Sequence, residues 1–353
     1  MIAAATWPRD RPEDERLLHV DPEGGRFADA RVADLPRLLA PGDLLVVNDA
    51  ATLPASLRAL RLDGTAFEVR LLAQDEGSPE ATSWSAVLFG RGDWRTRTED
   101  RAPPPRLEAG ERLRLGGGVT ARVAAVDSGS PRLVRLVFDG GADAMWRAIY
   151  EEGRPVQYAH VNGPLALWHV QSPFASRPWS VELPSAGRPL TFGVLGRLAA
   201  RGVAVASLTH AAGLSSSGDP ALDARLPLEE RYDIPASTVE AIVRARARPD
   251  ARVVAVGTTV VRALEGCALA HGGELVGGVG VTDLRVGPRS KLRVVDALLT
   301  GIHERGTSHY DLMASFFRDA AILDRALAHA EEAGYLQHEF GDSVLVLRER
   351  RAT

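Results

Sequence analysis

The chain has 353 residues, 45% hydrophobic and 25% charged, with a formal net charge of −4. That balance excludes an intrinsically disordered protein, and the length suits two domains at roughly 150 residues each. One cysteine, Cys267, excludes an intramolecular disulfide framework, an all-cysteine zinc site and an iron–sulfur cluster.

No apolar run reaches the roughly 18 residues of a membrane span. The N-terminal stretch lacks the basic flank and apolar centre of a signal peptide, so a cytoplasmic monomer with no membrane partner is expected. A net negative chain is not one that grips nucleic acid mainly through phosphates. Its basic residues are arginines apart from Lys291, in keeping with a GC-rich base composition.

In chain order, Leu44 to Asn48 follows a turn and reads as a short buried strand. The loop from Asp49 to Pro54 then falls at a strand's C-terminal end, where open α/β sheets bind ligands. Between residues 57 and 140, alternating runs recur at 67–72, 83–89, 111–115, 119–126 and 132–138, separated by glycine and proline. This spacing predicts a small antiparallel barrel, with a stiff connector ending at Arg106.

From about residue 141 helices and strands alternate. The sequence predicts helices over Thr191–Arg201, from Ser237 to Arg248 with Ser237 or Thr238 as cap, over Val260–Ala270, Ser308–Phe317 and Ala320–Ala333. Strands are predicted at 203–208, 252–256 and 343–347. The expected fold class is α/β: a discontinuous α/β main domain (1–56 and 141–353) carrying an inserted small antiparallel β-barrel domain (57–140).

Several segments suit chemistry. Gly257-Thr258-Thr259 joins a buried strand to a helix, whose free N–H groups and dipole attract a carboxylate or phosphate. Ser185-Ala186-Gly187 precedes a helix and lets a ligand approach the backbone. Both segments suit a plain turn and cap equally well. His210 ends a strand, and His303 follows the apolar run 294–300; each suits general acid–base work. Asp296 interrupts that run and calls for a partner, a cap or a ligand hydroxyl. Cys267, read as following a helix, suits a packed small hydrophobe. The phosphate loop, the Gly-x-Gly-x-x-Gly fingerprint, His-Glu-x-x-His and Gly-x-Ser-x-Gly are absent.

Taken together, Pro41–Asn48, Leu53-Pro54-Ala55, Pro184–Gly187, Arg201-Gly202-Val203, Val254–Glu265, Thr282-Asp283, Lys291–Thr300 with His303, and Gly341-Asp342 resemble the S-adenosylmethionine:tRNA ribosyltransferase-isomerases of queuosine biosynthesis. The resemblance implies the same α/β fold with a barrel insertion. It also implies transfer and isomerisation of the ribosyl group of S-adenosylmethionine onto a 7-aminomethyl-7-deazaguanine base in tRNA, with no metal.

On this reading His210, His303 and Asp296 are the catalytic candidates. Ser185, Ala186, Gly187, Gly257, Thr258, Thr259 and Arg262 are the candidates for binding S-adenosylmethionine as co-substrate. The loops depart from the family pattern at Asn48-Asp49-Ala50-Ala51, at Pro54-Ala55-Ser56, and at Leu226–Arg231, which reads as lacking two histidines and a glutamate. Two further readings therefore stay open: a paralogue acting on a small-molecule acceptor, and a non-catalytic binding module.

Overall fold

Leu44–Asn48 is buried along its whole length, and its side chains alternate between two cores. Leu44 and Val46 enter one, Leu45 and Val47 the other. A strand covered on both faces must be apolar throughout, which is why this run carries no polar alternation. The computed structural model describes residues 2–75 and 82–347. Residues 348–353 of the expected 141–353 segment, 76–81 of the barrel segment and Met1 lie outside them.

The strand is central in a nine-stranded sheet. The order is Gly278–Thr282, Glu230–Ile234, Ala204–His210, Leu44–Asn48, Val253–Val256, Ala297–Gly301, Ser343–Val346, Arg16–Val20 and Phe27–Arg31. The four strands from Ala204–His210 to Ala297–Gly301 run parallel, and the neighbours on either side are antiparallel to them. One face packs on the helices Ala236–Arg246, Thr258–Ala270, Ser308–Ala314 and Ala320–Glu332. The other packs on Leu35–Leu38 and Phe192–Ala200, the latter capped by the Thr191 hydroxyl.

The strands Ser56–Leu60, Ala66–Asp75, Ser83–Phe89, Arg112–Arg114, Thr120–Val126 and Leu133–Phe138 close into an antiparallel barrel. Its alternating runs put Leu57, Val69, Leu88, Leu113, Val123 and Leu136 inside. The helix Gly141–Glu152 adds Met145 and Ile149 to this core, and the Trp84 indole N–H points at the Met145 sulfur 3.1 Å away. Arg70 and Arg101 are buried in the barrel wall because Glu68 takes both guanidinium groups.

Three local expectations are corrected. The helix expected from Ser237 starts at Ala236 behind Pro235, and the Thr238 hydroxyl donates to the Ser207 carbonyl at 2.6 Å instead of capping. Ser185–Gly187 is a single tight turn, and the following helix begins only at Phe192. Cys267 lies inside the helix Thr258–Ala270, buried, with its thiol 3.3 Å from the Val276 carbonyl.

Candidate active site

The parallel strands end together at His210, Asn48, Val256 and Gly301. Ser343 pairs with Gly301, and Glu230 lies two residues beyond the partner of His210, so these also reach the same edge. Asn48 ties the edge. Its Oδ1 accepts from the His210 and Ala50 amides at 2.9 and 3.0 Å, and its amide donates to the His210 carbonyl at 3.0 Å. The same amide reaches the Thr259 hydroxyl at 3.4 Å.

Gly257 turns the chain at φ +90° so that the helix starts at Thr258. A Cβ placed on Gly257 would stand 3.6 Å from the Ala186 methyl. The two turns singled out in sequence, 185–187 and 257–259, are therefore neighbours. Gly187 is forced by packing: a Cβ there would meet the Phe174 ring at 2.7 Å. One helix N-terminus, two threonines and a small-residue turn thus line one stretch of the edge, which is chemistry suited to a carboxylate.

Beside this stretch lies a buried polar cluster. Arg262 gives Nε and Nη2 to the two oxygens of Glu230 at 2.7 and 2.9 Å. His210 is 0% exposed, its Nε2 3.4 Å from Glu230 Oε2, and neither ring nitrogen has a hydrogen-bond partner. Burial, opposed by Glu230 and reinforced by Arg262, lowers His210 to about 4, so the ring is neutral at pH 7. Burial pushes Glu230 up, but the Arg262 guanidinium together with His210 and the Gly213 amide outweighs it, leaving a carboxylate held below its ordinary range.

His303 accompanies this cluster on the next loop. Its Nε2 is 2.9 Å from the Thr300 hydroxyl, and its ring stacks on His309 at 4.8 Å. Burial, aided by His338, lowers His303 to about 4; burial and its neighbours His303 and Arg262 lower His309 well below the usual value. Two neutral imidazoles can each donate and accept one hydrogen bond without adding positive charge. At the far end, Glu15 is buried 2.5 Å from the Ser343 hydroxyl. Burial raises its carboxyl to about 8 despite Ser343 and Arg9. Arg188, which directly follows the 185–187 turn, reaches the Arg9 carbonyl at 3.4 Å.

Asp296 does not join this edge. Its Oδ2 accepts from the Val253 amide at 2.9 Å, at the start of strands whose ends form the site, and it is exposed. Arg262 has both arms on Glu230 and holds the cluster rather than facing a cofactor. His210 is sealed behind the surface.

Sequence reasoning missed Glu230, His309, Glu15 and Arg188. For Glu230 the signal was present: the resembled family reads His-x-Met-His-x-Glu here, and counted from Arg225 rather than Leu226 that pattern ends on Glu230, so the glutamate is retained while Arg225, Pro227 and Leu228 replace the two histidines and the methionine. A cavity of about 470 Å³ opens on the barrel beside Thr65, Arg91 and Pro103–Pro105, none of which belongs to the strand edge.

Comparison with known proteins gives consistent relatives. The family model described as "Queuosine biosynthesis protein" matches residues 2–346. The chain is 37% identical to an S-adenosylmethionine:tRNA ribosyltransferase-isomerase of Thermus thermophilus, covering 96% of this chain and 94% of that one. It is 35% identical to the protein of that name from an Azoarcus species, over 96% of this chain and 92% of the other. A crystal structure of an S-adenosylmethionine tRNA ribosyltransferase from Thermotoga maritima has a similar fold, with TM-score 0.52 at 24% identity, over 98% and 96% of the two chains.

Proposed function

This chain belongs to the queuosine biosynthesis protein family, and on that premise we propose that it is a transferase-isomerase. It moves the ribosyl group of S-adenosylmethionine onto the aminomethyl group of a 7-deazaguanine base in tRNA and rearranges it, releasing adenine and methionine. The observation that carries the reading is the contact between the 257–259 and 185–187 turns at the ends of four parallel strands, flanked by a neutral histidine pair.

The substrate sets what such a site must do. The sulfonium is the electron sink and acidifies the ribose C5′ hydrogens, so one base can form an ylide. Rearrangement then expels adenine from C1′, and methionine leaves as a neutral thioether when the bond between its sulfur and the ribosyl C5′ breaks, the electron pair staying on sulfur; the acceptor amine must arrive uncharged. The amides and hydroxyls of Thr258 and Thr259 suit the methionine carboxylate, with Ser185–Gly187 as the opposite wall and Arg188 within reach of a second anionic group. His303 and His309, being uncharged, leave room for a sulfonium cation and offer a donor for departing adenine. Proton transfer by such a group is worth roughly 10²–10⁴-fold. Glu230, with Arg262, is a positioning group, because both lie beneath this surface.

We read the inserted segment 57–140 as a separate domain that meets the tRNA backbone. Arg112 and Arg122 sit opposite each other on neighbouring strands, and Arg58, Arg114 and Arg135 continue an exposed arginine stripe over adjacent strands. Like charges placed directly opposite destabilise a sheet, so a polyanionic partner gives this pair a purpose. The acidic neighbour Asp139 lies 3.4 Å from Arg112 and accepts from the Thr120 hydroxyl at 2.5 Å.

The test is incubation with S-adenosylmethionine and tRNA bearing 7-aminomethyl-7-deazaguanine, followed by mass spectrometry. Adenine and methionine release with a matching mass gain on the RNA is expected. Release with the free base alone would overturn the assignment of tRNA as acceptor, and silence in both tubes would overturn the reaction.

A further inference from the structure

Away from the strand edge, three ligating side chains converge from stretches far apart in sequence. His160 sits in a turn closed by the Val161 amide on the Tyr158 carbonyl at 3.1 Å. His338 and Glu339 open a second turn, closed by the Gly341 amide on the His338 carbonyl at 2.9 Å. His160 Nε2 lies 2.8 Å from Glu339 Oε2, and the two imidazoles stack with centroids 4.3 Å apart. One ligand atom from each of the three residues lies within 4.8 Å of the others.

The backbone adds an independent observation. His338 has φ +70°, and it is the non-glycine residue in the left-handed region among the described residues. That conformation is disfavoured for a residue that carries a Cβ. Such strain persists where surrounding structure over-determines it, and it concentrates at ligand clamps and active sites. At this turn it accompanies a ring laid against His160.

We propose that His160, His338 and Glu339 form a site for one borderline divalent transition cation of the zinc or cobalt class. Two imidazoles and a carboxylate are a ligand set that zinc accepts with a fourth position left to water. Magnesium and calcium, which take oxygen ligands, do not fit it. Bond lengths of about 2.0–2.2 Å require the three atoms to draw closer together. His338, the exposed member, would have to turn its ring out of the stack on His160 to bring its nitrogen to the ion. The bound ion would tie the turn at 158–161 to the turn at 338–341. The second turn adjoins Gln337, which donates to Glu304 at 2.6 Å beside His303. The ion therefore braces one wall of the site and takes no part in the reaction proposed above.

The test uses the full chain stripped of metal by a chelator and titrated with cobalt(II) and then zinc(II). Wild type is compared with His338→Gly, which keeps the backbone turn without strain, and with Glu339→Gln. One equivalent of cobalt should bind with a visible d–d band and no thiolate charge-transfer band. Zinc should raise the melting temperature, and each variant should weaken binding by more than about 10-fold. Metal-free His338→Gly should melt no lower than wild type, which separates ligand loss from misfolding. Absence of the band, a thiolate band that moves the ion to Cys267, or unchanged affinity in His338→Gly would each overturn the site.

Discussion

Arg262 and Glu230 are a buried ion pair whose two hydrogen bonds compensate two desolvated charges. Removing one partner strands the other. Arg262→Ala should lower the unfolding free energy by about 3–5 kcal/mol in urea titrations. An equal replacement of both by apolar residues should lose far less. His210 shares this pocket, and its pKa of about 4 makes stability depend on pH. The unfolded chain, with imidazole near 6.5, binds more protons between pH 6.5 and 4. The contribution is therefore complete above pH 6.5 and falls away as the pH drops toward 4, by about 3 kcal/mol in full. His210→Gln should flatten that part of the stability–pH profile; a profile as steep as wild type would contradict it. Arg262 was visible in the sequence as a residue of interest, but its pairing with Glu230 was not. Glu230 lies 32 positions earlier, and only the register of Glu230–Ile234 against Ala204–His210 brings it to the same edge.

At the scale of elements, the turn at Gly257 converts a buried strand into a helix N-terminus that faces the open edge. Gly257→Ala keeps the space, since the nearest atoms are 3.5–3.6 Å from the added Cβ, but forces an L residue to φ +90°. It should cost about 1–3 kcal/mol of stability and weaken S-adenosylmethionine binding together, as calorimetry and denaturation would show. Three of the four parallel strands and this turn were legible because burial on both faces demands unbroken apolar runs and the turn demands glycine, whereas Ala297–Gly301 was read only as part of an apolar run. Arg16–Val20, Glu230–Ile234 and Gly278–Thr282 were not, because they are short, flank the parallel centre, and mix charged or glycine residues into the pattern. Asp296 misled for a related reason. An acid inside an apolar run reads as a site, and the fold uses it to hold the Val253 amide at the opposite edge.

For the whole molecule, the net charge of −4 hides how charge is distributed. The arginines on the barrel's outer face are exposed, whereas Arg70, Arg101 and Arg262 are internal partners of glutamates. If the stripe meets a phosphate backbone, Arg112→Ser with Arg122→Ser should weaken tRNA binding uniformly. The slope of log affinity against log salt should become shallower by about one for each phosphate no longer neutralised. An unchanged slope would remove the barrel from the RNA interface. Among the described residues no helix is long and apolar enough to cross a membrane. The barrel was legible from alternation and turn spacing, but a site assembled from both ends of a 353-residue chain was not, since its members meet only after the sheet forms.

The central claim is that S-adenosylmethionine sits at the strand ends between the 257–259 and 185–187 turns. Titration calorimetry with S-adenosylmethionine on wild type, Thr258→Val and Asp296→Asn tests it most directly. Loss of one hydrogen bond at Thr258 should weaken binding about 10-fold, while Asp296→Asn, at the opposite edge, should bind as wild type does. Wild-type affinity in Thr258→Val, or an equal loss in Asp296→Asn, would contradict the account.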